Sequence, residues 1–123
     1  MTERVRFEYA VIRVVPRVDR GECINAGVLL WCRDHEFLGA RCSLDAARLA
    51  ALDPGADVDG ITAGLAAVVA MAERTGDDAS RRFGWLTAPR STVVQPGPVH
   101  TGVTADPQAE LDRLFARLVL PPT

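Results

Sequence analysis

The stretch that most constrains this chain is Cys23–Cys32, CINAGVLLWC, which is apolar on both faces of an extended strand except at Asn25. A strand with no polar face has its natural place in the middle of a sheet. The segment before it, Phe7 to Val15, alternates Phe7, Tyr9 and Val11 against Glu8, Ala10 and Ile12, then becomes uniformly apolar at Val14 and Val15. That pattern predicts a strand with one face better buried than the other. Pro16 cannot donate to a ladder and ends it, and Arg17 to Gly21 reads as a turn with Asp19 and Gly21 supplying the turn chemistry. The polar interruption Arg33-Asp34-His35-Glu36 predicts a hairpin, with Phe37 to Ser43 as a third strand. Three consecutive strands joined by short links form an antiparallel meander.

Helical patterning follows. Ser43 or Asp45 caps a short helix to Leu52, stopped by Asp53-Pro54-Gly55. Asp57 or Asp59 opens a longer one to Arg74, with Ile61, Leu65, Val68 and Ala72 at helical spacing and Gly76 placed as a C-cap. Gly60, Gly64 and many alanines make this helix thin, suited to close packing on a sheet. Phe83 to Thr104 is the least regular part, with short strands over Thr92–Gln95 and Val99–Val103 separated by a rigid Pro96-Gly97-Pro98 break. Asp106-Pro107 starts a final helix carrying the stripe Leu111, Leu114, Phe115, Leu118 and Val119. The expected fold class is α+β: a single domain over residues 1–123, its antiparallel sheet built from the N-terminal three-strand meander plus short late strands and covered by helices. At 123 residues such a chain buries roughly two-thirds of its unfolded surface.

Several chemistries lack their residues. All 14 basic residues are arginine, which excludes Schiff-base or nucleophilic lysine side chains. A net charge of -2 supplies no global field for nucleic acid. Cys23, Cys32 and Cys42 form an odd set without a Cys-x-x-Cys motif, as expected of reduced thiols. The charged start MTERVRFEY lacks a signal-peptide core, and no apolar run reaches the roughly 20 residues that cross a bilayer. A cytoplasmic protein away from membranes is expected. His35 and His100, the only histidines, are far apart in sequence, so no metal set or cofactor is expected. Cys23, in its apolar strand, reads as a buried inert thiol. The second hairpin can bring Cys32 and Cys42 face to face, but two thiols alone make no zinc site.

Two places concentrate polar residues that call for explanation. At the first turn, Arg17, Arg20 and Glu22 crowd one end of the hairpin, and Asn25 interrupts the apolar strand. An unpaired buried amide costs about 1–3 kcal/mol, so Asn25 needs partners. A structural account gives Asn25 the backbone of the Pro89–Pro98 loop and pairs Arg20 with Glu22. A functional account assembles Arg13, Arg17, Arg20 and Arg90 into an anion- or peptide-binding patch with Asn25 as the orienting donor. The second place is Thr87–Thr101, where Arg90, Gln95, His100 and Thr101 form either a rigid binding loop or a proline-guarded sheet edge.

YAVIRVVPRVDRGECINAGVLLWC, followed late by LTAPRSTVVQPGPVHTG and an amphipathic C-terminal helix, resembles the uncharacterised bacterial family known as domain of unknown function 3037. The segments carrying the likeness are the tyrosine-to-proline first strand, Arg20-Gly21-Glu22, Asn25-x-Gly27-Val28 and Pro96 to Gly102. The resemblance implies a small cytosolic bacterial or phage-associated protein with no established activity, cofactor or catalytic residue, and hints at a kinase-like neighbour of toxin–antitoxin type as a protein partner. The expected function is therefore a non-enzymatic accessory module working through protein contacts, since no catalytic constellation stands in the chain and its apolar strands leave an edge for pairing. The alternatives are a nucleic-acid or nucleotide binder using the arginine turn, and an unrecognised enzyme centred on Glu22, Asn25 and His100.

Overall fold

The computed structural model describes residues 3–122. In chain order the elements are β1 (Val5–Val14), β2 (Ile24–Cys32), β3 (Phe37–Cys42), α1 (Ala46–Leu52), α2 (Val58–Ala72), α3 (Ala79–Leu86), β4 (Val94–Thr104) and α4 (Pro107–Leu118). The strands form one antiparallel sheet in the order β3-β2-β1-β4. The meander is present, and β2 is an inner strand.

Helices on both faces explain why β2 has no polar side. On one face Ile12, Val14, Ile24, Ala26, Leu29 and Trp31 pack with Leu49 of α1, Ile61, Leu65 and Ala72 of α2, and Phe83 and Leu86 of α3. On the other, Phe7, Val28, Leu30 and Cys32 pack with Leu111, Leu114, Phe115 and Val119 from α4 and its C-terminal end. α4 lies over β2 and β3, while α2 lies mainly against β3. The outer half of the sheet, β1 and β4, is left less covered.

Within β2 the register shifts. Ile12 stands opposite Gly27 and Arg13 opposite Asn25, leaving Ala26 as an extra residue in a β-bulge. A Cβ on Gly27 would lie 2.5 Å from Cys42 Sγ and 3.0 Å from the Arg41 carbonyl oxygen, so only glycine fits there.

The late region differs from expectation. Pro96-Gly97-Pro98 does not break the chain into two short strands; it lies inside one strand of 11 residues. Ala10 opposes Val99 and Ile12 opposes Pro96, so Gly97 and Pro98 together face Val11 as a second bulge. Val15 N–H donates to the Val93 carbonyl at 2.7 Å. Alternation from that pair makes Pro96 a non-hydrogen-bonded position, whose missing N–H points away from β1. Prolines are tolerated because β4 is an edge strand.

The helix caps match the sequence signals. Asp45, Asp57 and Asp106 accept from the backbone N–H groups of Arg48, Gly60 and Ala109. α2 ends sooner than expected, at Ala72 with Glu73 as its C-cap, and Gly76 serves the following turn at φ 95°. α3 lies in the part of the chain left unassigned by periodicity. Asp78 caps it by accepting from Ser80 and Arg81 N–H, and it buries Arg82, Phe83 and Leu86. Among the described residues no helix is long and apolar enough to cross a membrane.

Candidate functional site

The first turn is closed by backbone bonds from Arg20 and Gly21 N–H to the Arg17 carbonyl, with Gly21 at φ 71°. Both of its arginines are held by carboxylates. Arg17 pairs with Asp53 at 3.4 Å, tying the turn to the end of α1. Arg20 Nε donates to Glu22 at 2.6 Å, and this hydrogen-bonded carboxylate raises the guanidinium pKa further above its ordinary value. Asn25 finds its partner neither in the turn nor in the late loop. Its Nδ2 donates to the Leu118 carbonyl at 3.0 Å, at the C-terminal end of α4.

The late candidates are separate from these. Arg90 lies over the Trp85 ring at 4.8 Å and donates to the Trp85 and Ala88 carbonyls. Gln95 Nε2 donates to the Thr92 carbonyl at 2.7 Å. His100 sits opposite Tyr9 on β1, ring centroids 5.3 Å apart. Val94, beside Gln95, pairs with Val14 at the mouth of the first turn, and a cleft of about 400 Å³ lined by Pro16, Asp53, Ile61, Val93 and Val94 adjoins it. Gln95 and the turn thus share one end of the sheet, whereas His100 stands midway along β1 and Arg90 belongs to the α3 end. Glu22, Asn25 and His100 occupy three different surroundings. Among the described residues no three His, Cys, Asp or Glu side chains gather as for a metal ion.

Two cysteine expectations are corrected. Cys23 is exposed, because it precedes the first ladder residue, Ile24. Cys32 opposes Phe37 and Cys42 opposes Gly27, so these thiols lie at opposite ends of the β2–β3 pair rather than face to face. Burial pushes the Cys42 thiol up to about 12, so it stays protonated and poorly nucleophilic at neutral pH.

What single-residue reasoning missed is a surface. The outer side of β4 is unpaired among the described residues, and its sequence, VQPGPVHTGVT, contains no Asp, Glu, Lys or Arg. Edge strands are ordinarily blunted by charge, proline, bulges or cover. Here the prolines and the bulge guard only the first part, leaving Val99–Thr104 beyond them. Val99 and Val103 are 42% and 56% exposed, on the same face as Thr101. On the opposite face Gly102 lies under the Phe7 ring, where a Cβ would come within 2.7 Å. The other edge is built differently. β3 has six residues, its Arg41 bonds Asp112 and stacks over Phe115, and α2 and α4 flank it. The signal in the sequence was the uncharged run from Thr92 to Thr104 itself, in a chain that is 24% charged.

A family model described as a protein of unknown function (DUF3037) matches residues 9–119. The match runs from the middle of β1 to just past the end of α4, and the chain belongs to that family. No curated protein and no solved structure matches it.

Proposed function

We propose that this member of the family is a non-enzymatic accessory module that binds protein by accepting an extended segment along the outer edge of β4. The observation that carries this is the long, uncharged edge strand with Val99 and Val103 exposed on one face. Unpaired backbone N–H and C=O groups on an edge are satisfied when a further strand is added, while alternate side chains set specificity. A segment carrying apolar residues on one face, placed over Val99 and Val103, meets both demands. The kinase-like neighbour expected from the resemblance is the first partner to try.

Nucleic-acid binding has less support, because Arg17, Arg20, Arg41, Arg74, Arg82 and Arg113 each already hold a carboxylate. The test is partner capture by the immobilised protein, compared with a Val99→Lys/Val103→Lys variant and an Arg17→Ala/Arg20→Ala variant. Capture lost only in the β4 variant supports the edge. Capture that survives it, or a protein that captures nothing specific, contradicts the proposal.

A further inference from the structure

We infer that, when no other partner is present, β4 is closed by β4 of a second copy of this chain, in antiparallel register with the two-fold axis at Thr101. This rests on the reading of β4 as the docking edge and supplies its occupant. A two-fold contact requires a self-complementary surface, and the segment Val99-His100-Thr101-Gly102-Val103 has that property about its centre. In this register Thr101 opposes its own copy and each Val99 opposes the second copy's Val103. The most exposed apolar side chains of the strand thereby cover one another.

The other face fits as well. His100 opposes the second copy's Gly102, the position over which that copy's Phe7 ring already lies. His100, beside Tyr9 in its own chain, is then bracketed by aromatic rings in a row crossing the contact. Glycine on an edge strand covered by a neighbouring aromatic ring is a known stabilising pairing.

Charge does not oppose the arrangement. β4 contributes no charged residue. The nearest like pair facing across the axis is Glu8, which stands opposite Thr101. The two Glu8 side chains are then three strand spacings apart, roughly 14 Å, beyond the screening length of about 8 Å at physiological salt. The proline-containing bulge ends the ladder on each side, so pairing runs only over Pro98–Thr104. A contact of that extent falls below the roughly 1,200 Å² of standard interfaces. The dimer is therefore reversible and concentration-dependent, and a partner competing for the same edge dissociates it.

Sedimentation velocity over a concentration series tests this on the full chain. The expected result is a shift from the 13.3 kDa monomer to a species of twice that mass. The shift is lost in Val99→Lys/Val103→Lys and in Val99→Glu/Val103→Glu, and it returns when these two variants are mixed, because new lysines then face new glutamates across the axis. Circular dichroism of each variant at low concentration checks that the monomer fold is kept, as expected for substitutions at exposed positions. A wild type that stays monomeric throughout, a dimer that persists in either variant, or no recovery on mixing overturns the inference. If the wild type is monomeric while partner capture is still lost in the lysine variant, self-pairing fails and the binding edge stands. Capture indifferent to β4 removes both.

Discussion

The Asn25 amide donates to the Leu118 carbonyl at 3.0 Å across 93 residues of sequence, joining an inner strand to the last turn of the final helix. The bulge at Ala26 makes this possible. In an uninterrupted strand Asn25 would share the face of Leu29, among the α1–α3 core residues. The extra residue returns Asn25 to the α4 side, where a helix C-terminus leaves carbonyl groups without partners. The one polar residue in an apolar strand is thus an anchor for α4.

Replacing Asn25 therefore loosens the C-terminal helix. Asn25→Ala is expected to cost about 1 kcal/mol, lowering the melting temperature by roughly 4 °C. Asn25→Asp costs more at neutral pH, because a carboxylate meets both a carbonyl oxygen and the negative end of the helix dipole. Calorimetry on the two variants checks the order.

Gly27 and Cys42 form a size-matched pair. Gly27→Ala forces a Cβ onto Cys42 Sγ and should destabilise by about 1–3 kcal/mol, as overpacking does. Adding Cys42→Ala should restore part of the loss. The remainder reflects the Arg41 carbonyl, which also crowds the site. Urea denaturation of the double-mutant cycle measures the coupling.

Cys42 also makes stability depend on alkaline pH. Its folded-state pKa is raised from 9.0 to about 12 by burial, so the folded form keeps a proton that the unfolded form loses. Its contribution is fully present below pH 9 and declines as pH rises from 9 towards about 12. Stability measured across that window should fall less steeply in Cys42→Ala. At neutral pH a thiol reagent should label exposed Cys23 quickly, half-buried Cys42 more slowly, and buried Cys32 only on unfolding.

Arg82 and Asp77 make an asymmetric pair. The Arg82 side chain is 9% exposed and donates to the Asp77 carboxylate and the Ala72 carbonyl, with its Nε unpartnered. Asp77→Ala leaves a buried cation short of its counter-charge and is expected to destabilise by about 1–3 kcal/mol. Arg82→Met removes the cation and its unmet donor together, and should be close to neutral or stabilising. Thermal melts of the two variants distinguish them.

The meander, the capped helices and the α4 stripe were legible because each is written in local periodicity and capping chemistry. The anomaly at Asn25 was visible too, but its partner was not, since a bulge changes which face a residue occupies and periodicity assumes no bulge. The same reason hid β4: Pro96-Gly97-Pro98 reads locally as a break and becomes tolerable only at an edge, which is a tertiary fact. α3 was obscured by Arg81 and Arg82, because a buried arginine looks like a solvated one until Asp77 is placed beside it. The candidate surface depended on knowing which strand ends the sheet.

The most direct test of β4 as the interaction edge is a concentration-dependent amide chemical-shift map of the isotope-labelled protein. The account predicts perturbations along Val99–Thr104 and at the β1 residues beside it, with Phe7 and Tyr9 among them, while the Arg17–Gly21 turn stays unchanged. Perturbations centred on that turn or on α4, with β4 silent, would contradict it.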